Sequence, residues 1–390
     1  MNKLFYGKHY IDKKDINFVK DSLNAKIITG GKYLNKFESK IKSFTNSKFA
    51  LACNSGTSGI HLALLAMNIK AGDNVLMPTI NFVASYNMCK IIGANPIFID
   101  VDPLTGQLQP EYVEKFIKNN QNIKIKLLVT MYLGGYPENI LQFYKLKKKY
   151  NFLILEDSCH AFGANYLASG KKYMIGSCKH SDISTFSFHP VKSITTGEGG
   201  AITTNNKKYF DKMSLLRSHG IMRKKNYWQY DIKNSGYNYR ISDINCALGI
   251  TQIKKTDFFL KERKKIYDYY FVLFKDLFPN IISFPKYCAK NKPSFHLFLI
   301  NINFTRLKIS KNKFIKYLNI KNIYPQFHYI PLYKFSCVKT KLKFANSEAY
   351  FDNTLSIPIY VGLTEKEQIY IFKNLIRIIK NNIKSKVNKK

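Results

Sequence analysis

The sequence predicts an α/β fold with a mostly parallel sheet, followed by a smaller α+β C-terminal region. Three observations predict it. Short apolar runs alternate with amphipathic stretches from about residue 50 to 205, polar residues suited to chemistry follow those runs at their carboxyl ends, and the pattern changes after Gly249.

The predicted strands are Asn74–Pro78, Pro96–Asp100, Ile125–Met131, Phe152–Leu155, Ile183–Ser187 and Gly200–Thr203. Helical periodicity fills Ser58–Asn68, Phe82–Ile92 and Glu138–Tyr150 between them. In such sheets ligands collect at the carboxyl ends of the strands. Asp157 lies just past one predicted strand and Lys192 just past another, so both are expected at the same edge. Beyond Gly249, one amphipathic helix is predicted from Thr251 to about Leu273. An apolar run at Phe295–Phe304 and an aromatic segment at Tyr324–Tyr333 follow. The expected division is a large domain over residues 1–250, including an N-terminal arm, and a small one over 251–390.

A chain of 390 residues, 45% hydrophobic, is long enough to bury cores for two domains. Its 62 Lys and Arg against 25 Asp and Glu give a formal charge of +37. That excess is spread along the whole chain and accompanies abundant Asn, Ile, Tyr and Phe, residues with A/T-rich codons. Compositional drift therefore explains it, and a dispersed excess reads as a solvated face rather than a nucleic-acid surface. A share of it would still draw an anionic substrate to a basic cleft. The lysine-rich tail, 380–390, is expected to fray. Seven scattered cysteines without a C-x-x-C pair suggest neither a disulfide framework nor a zinc site, and reduced thiols in a cytoplasmic protein are expected. The first residues carry no apolar signal-peptide core, and no apolar run approaches the ~18 residues of a membrane span.

The richest segment runs from Phe186 through Ser187, His189 and Lys192 to Gly200. A lysine that forms a Schiff base must lose its proton readily, which calls for a packed and partly desolvated setting. Lys192 follows an apolar strand and precedes a glycine cluster; taken alone it reads equally as a surface loop lysine. A second segment is Leu155-Glu156-Asp157-Ser158-Cys159-His160. A carboxylate at a strand end can hold a protonated pyridine nitrogen, and Asp157 read alone is also an ordinary helix N-cap. His160 alone is also an ordinary half-buried histidine. The third is Asn54-Ser55-Gly56-Thr57-Ser58-Gly59, where small and hydroxyl residues open a helix. Free N–H groups and the helix dipole make such a start an anion site, or simply a capping turn. No metal-ligand spacing is present, so no metal is expected.

Taken in order, these segments resemble the DegT/StrS family of nucleotide-sugar aminotransferases. The likeness starts at Ile28-Thr29-Gly30-Gly31 and includes Pro78–Ser85, Gly236-Tyr237-Asn238-Tyr239-Arg240 and Phe327-His328-Tyr329-Ile330-Pro331-Leu332-Tyr333. It implies the aspartate-aminotransferase fold (fold type I) with pyridoxal 5'-phosphate. It also implies that Lys192 carries the cofactor and shuttles the proton, that Asp157 pairs with the pyridine nitrogen, and that His160 sits near the ring's phenolic oxygen. Phe82 would stack on the ring, while Gly56, Thr57 and Ser187 would bind the phosphate. Asn238 would reach that phosphate from a partner subunit in a homodimer with shared sites. Arg240 would lie near the amino-donor carboxylate, with His189, His328 and Tyr329 at the substrate. Relatives that dehydrate sugars carry histidine in place of the lysine, so Lys192 points to transamination.

Within the family, Leu216–Ile221, Ser235–Leu248 and Gln326–Pro331 are most similar to the branch serving pseudaminic acid biosynthesis. That likeness implies L-glutamate as donor and C4 of a UDP-linked 4-keto-6-deoxy-N-acetylhexosamine as acceptor. The alternatives are other nucleotide-linked keto sugars (perosamine, bacillosamine or legionaminic acid type) and a non-catalytic regulator that binds the cofactor. Asn81 and Cys159 depart from the family's frequent Thr or Ser and Ala.

Overall fold

The computed structural model describes residues 2–226, 228–232, 234–338, 340 and 342–383. Its centre is a seven-stranded sheet built from β1 (Phe49–Cys53), β2 (Asn74–Pro78), β3 (Asn95–Ile99), β4 (Ile125–Met131), β5 (Leu153–Asp157), β6 (Ile183–Ser187) and β7 (Gly200–Thr204). The spatial order is β1-β7-β6-β5-β4-β2-β3. Only β7 runs against its neighbours. No helix lies between β6 and β7, and a parallel pair needs a crossover, so the chain must turn back at the carboxyl edge. That reversal puts the loop carrying Lys192 at the edge where β5 and β6 also end.

Helices cover both faces, which is why the strands read as apolar runs. Gly56–Ala66 lies across β7 and β6 and, with Val83–Ile92 and Lys207–Arg217, buries Leu62, Met77, Leu155 and Ile202. On the other face Phe37, Ile41, Phe162, Phe186 and Phe188 form the core beside Lys32–Thr45 and Asp243–Lys254. Alternation along β5 splits its last two residues: Glu156 shares a face with Ile154, and Asp157 with Leu155.

The single helix expected from Thr251 is two. Asp243–Lys254 and Thr256–Phe274 are separated at Lys255, whose backbone leaves the helical well at ψ 4°. Its ammonium is drawn to Asp12 and Asp15 at the start of helix Lys13–Leu23. The Phe295–Phe304 run contributes the strand Phe298–Ile302, flanked by Ile282–Ser283 and Thr354–Ile357 in an antiparallel sheet. Helix Glu365–Asn382 packs against Thr256–Phe274 and closes this second core around Phe298, Ile300 and Phe314. Residues 380–382 are the helix's last turn rather than a frayed tail; 384–390 lie outside the described residues. The strand Leu4–Phe5 pairs with Ile323–Tyr324, which ties the N-terminal segment to the later part of the chain.

Asp243 fixes the entry to helix Lys32–Thr45 from far along the sequence. Its buried carboxylate accepts the N–H groups of Gly31 at 3.0 Å and Tyr33 at 3.1 Å. Those are helix-terminal donors that no residue of the helix can satisfy. Asp243→Ala leaves both unsatisfied and is expected to cost about 2 kcal/mol, read as a lower midpoint in chemical denaturation.

Candidate active site

The carboxyl ends of β1, β5 and β6 and the β6–β7 loop meet around a cavity of about 430 Å³. Gly56, Thr57, Phe82, Asp157, Ser187, His189, Lys192, His328 and Tyr329 all line it. Asp157 is the last residue of β5, level with Met131 and Thr185, not one past the strand. No helix follows it, so it is no N-cap; Ser158 to Gly163 run through turns and coil. Lys192 closes a turn in which its N–H donates to the His189 carbonyl at 2.9 Å. Lys192 is only partly exposed and lines the cavity.

The first wall is a cradle of backbone. Ser55 caps helix Gly56–Ala66, its hydroxyl accepting the Ser58 N–H at 3.1 Å. The turn is therefore a true cap, and it leaves the N–H groups of Gly56 and Thr57 without an acceptor among the described residues. Only glycine allows this packing: a Cβ on Gly200 would stand 2.4 Å from the Ser55 carbonyl oxygen. One on Gly56 would stand 3.0 Å from Ser187 Cβ. The Ser187 hydroxyl oxygen accepts the His189 N–H at 3.4 Å, which leaves its own proton free to donate.

The floor holds the charges. Asp157 is buried; its Oδ1 accepts the Cys159 N–H at 3.3 Å and its Oδ2 the Ser85 hydroxyl at 3.5 Å. Burial pushes its carboxyl above the usual carboxylate range, against the pull of Cys159, the Lys192 charge and Ser85. Burial also lowers the Lys192 ammonium, which the neighbouring Cys159 and Asp157 oppose. Both shifts favour an amine able to give and take protons. His328, whose Nδ1 lies 2.8 Å from the Ser356 hydroxyl, is brought down to about 3 by burial and by Lys192. It stays neutral beside the cavity.

A pyridoxal phosphate fits these residues. The free amides at Gly56 and Thr57 and the Ser187 hydroxyl suit a dianionic phosphate. The carboxylate suits a protonated ring nitrogen, and the amine suits a carbonyl carbon. The Phe82 ring is 51% exposed at the cavity wall, an apolar face that suits a flat ring. Asn81, at the same wall, has a buried amide nitrogen without a partner among the described residues, while its oxygen accepts the Phe82 N–H at 2.7 Å.

Three expected residues do not line the cavity. Asn238 is exposed and Arg240 half-buried outside it. His160 is wholly buried rather than half-buried and stands behind Tyr329, its Nε2 2.8 Å from the tyrosine hydroxyl. The sequence reading missed Tyr6, Ser85 and Glu198. Of these only Glu198 lay in a segment that the sequence singled out for its chemistry, the run from Phe186 to Gly200. Among the described residues no metal-binding cluster exists and no helix is long and apolar enough to cross a membrane.

Comparison with known proteins agrees with this geometry. The model of the DegT/DnrJ/EryC1/StrS aminotransferase family matches residues 9–376. The chain is 37% identical, over 96% of its length and 97% of the relative's, to a UDP-4-amino-4,6-dideoxy-N-acetyl-beta-L-altrosamine transaminase of Campylobacter jejuni. It is 32% identical to a GDP-perosamine synthase of Escherichia coli, covering 93% of this chain and 94% of that one. Among solved structures it superposes on Helicobacter pylori PseC, an aminotransferase involved in the biosynthesis of pseudoaminic acid. The TM-score is 0.85 and the identity 30%, over 97% of this chain and all of that one. The chain belongs to the DegT/DnrJ/EryC1/StrS aminotransferase family and is a pyridoxal-phosphate-dependent nucleotide-sugar aminotransferase.

Proposed function

We propose that the protein transfers the amino group of L-glutamate to C4 of a UDP-linked 4-keto-6-deoxy-N-acetylhexosamine, in the assembly of pseudaminic acid. The observation that carries the transaminase chemistry is the convergence of Lys192 and Asp157 on one cavity beside the Gly56–Thr57 amides. The likeness to the Campylobacter and Helicobacter enzymes supports the choice of sugar.

When bound, pyridoxal phosphate supplies an electron sink for the carbon that loses its proton. Asp157 holds the pyridine nitrogen in its protonated form. Gly56, Thr57 and Ser187 anchor the phosphate, and Phe82 covers one face of the ring. Lys192 Nζ removes the proton from Cα of the amino donor and, in the second half of the cycle, delivers one to C4 of the sugar. Burial keeps that amine from being locked as an ammonium. His189, His328 and Tyr329 form the wall that meets the substrates. The cofactor contacts thus come from residues before 250 and part of the substrate wall from residues after it.

The active unit in this reading is a homodimer. Asn238, exposed and outside its own chain's cavity lining, would reach the phosphate of the partner's site, with Arg240 beside the donor carboxylate. The exposed aromatic and aliphatic side chains of Trp228, Tyr230 and Ile232 lie just before it in sequence and supply apolar contact area.

Purified protein mixed with pyridoxal phosphate is expected to show a band near roughly 400–430 nm, and L-glutamate should move that band into the ultraviolet. A band indifferent to glutamate overturns the transaminase reading. A GDP-linked keto sugar turned over tenfold faster than the UDP-linked one overturns the sugar assignment. Lys192→Ala should lower turnover by more than about a thousandfold while the protein stays folded by circular dichroism. Asp157→Asn should leave phosphate anchoring intact and lower kcat by about a hundredfold, read by steady-state kinetics.

A further inference from the structure

Lys192 also borders a second, much smaller hollow of about 10 Å³, which shares no other lining residue with the large cavity. The N-terminal arm, the lysine loop and helix Thr256–Phe274 meet there. A wider hollow of about 310 Å³ shares Lys8, His9, Tyr10 and Val361 with it. The three arm residues are exposed, so a small solute has a route inward.

Two polar groups of the inner wall are buried and have no partner among the described residues. They are Nε of Arg263, a residue 2% exposed, and Oγ of Ser193, a residue 8% exposed. Both have a proton to donate. The other buried polar side chains of the wall are taken. Gln252 donates to the Tyr10 carbonyl at 2.9 Å and to Asp15 at 3.0 Å, and its oxygen accepts the Thr195 N–H at 3.4 Å. The Thr195 hydroxyl donates to the Phe188 carbonyl at 3.0 Å.

Charge points the same way. Arg263 Nη1 donates to the carbonyls of Phe295, His296 and Ile359, at 3.5, 3.3 and 3.1 Å. Burial lowers the guanidinium to about 10, and no charged neighbour raises it back. Asp15, behind Gln252, is already paired with Lys255. The wall itself carries Lys8, His9, Lys192 and Arg263 and no carboxylate. A buried cation held only by carbonyl dipoles calls for a counter-ion.

We infer that this hollow binds one monatomic anion of the halide class, held by Arg263 Nε and Ser193 Oγ with Lys8 at its mouth. The volume suits one solvent-sized particle, which excludes phosphate, sulfate and carboxylates. The ion neutralises Arg263 and fastens the N-terminal arm to the loop that carries Lys192. The site is separate from the phosphate cradle and does not depend on the transaminase reading.

The test uses the full chain with pyridoxal phosphate added, so that the Gly56–Thr57 cradle is filled and takes up no halide. Crystals soaked in sodium bromide should show an anomalous peak within hydrogen-bonding reach of Arg263 Nε and Ser193 Oγ. Density there without anomalous signal, as from a water, overturns the inference; so does bromide found only on surface lysines. In solution, chloride replacing gluconate at constant ionic strength should raise Tm by about 3 °C and then saturate. Ser193→Ala should raise the chloride concentration at half-effect about tenfold, the size of one hydrogen bond to a charged group. Arg263→Met should remove the chloride dependence altogether; where that variant fails to fold, Ser193→Ala decides. A Tm indifferent to chloride, or a half-effect that Ser193→Ala leaves unchanged, overturns the site. A protein that takes up no pyridoxal phosphate defeats the transaminase reading, and the bromide position still decides this one.

Discussion

The site depends on a place where backbone meets backbone. Gly200 starts β7 between Ser187 of β6 and Cys53 of β1, directly beneath the Ser55 carbonyl. The missing side chain lets the start of helix Gly56–Ala66 settle onto the sheet edge. Only in that position do the free amides of Gly56 and Thr57 face the same space as Ser187 and the lysine loop. A methyl group at Gly200 would lift the helix start by more than an ångström to reach ordinary contact, and each donor of the cradle would move with it.

Around that contact the protein balances two opposing demands. Chemistry at Lys192 needs an amine that sheds its proton, which burial supplies, but a buried cation beside a buried carboxylate would lock both in a charged pair. The fold separates their supports. Asp157 is stabilised by Ser85 and the Cys159 amide as well as by Lys192, so it does not rely on the amine alone. The amine in turn sits in a loop held by its own backbone turn. Each group can therefore change its proton count without unseating the other.

Much of this was legible in sequence. Six of the seven central strands have apolar runs that announce them; three keep their expected bounds and the other three shift by a residue or two. The strand Phe49–Cys53 was not anticipated because its alanines give it little β-propensity; it forms because Gly200–Thr204 offers an edge to pair with. Asp157 and Lys192 reached one cavity as their positions after two predicted strands suggested, and Gly56, Phe82 and Ser187 line it with them. Ser85 and Tyr6 were invisible because nothing local distinguishes a serine inside a helix or a tyrosine in an extended arm. The burial of His160 behind Tyr329 could not be read from its motif, because Tyr329 is distant in sequence. The helix break at Lys255 is likewise set by tertiary contact with Asp12 and Asp15, against a periodicity that continues across it.

The pairing of Leu4–Phe5 with Ile323–Tyr324 has a bearing on how the molecule is made. Tyr6, next in line, forms cavity wall together with Gln326, Phe327 and Tyr329. The first side chain of the wall to leave the ribosome must therefore wait for the last. Nascent chains can finish the central sheet once residue 204 has emerged, yet the pocket has no second side until more than a hundred further residues follow. The lysine and its cradle can therefore form well before the wall that faces them, and the cavity is closed only when residues 326–335 have followed.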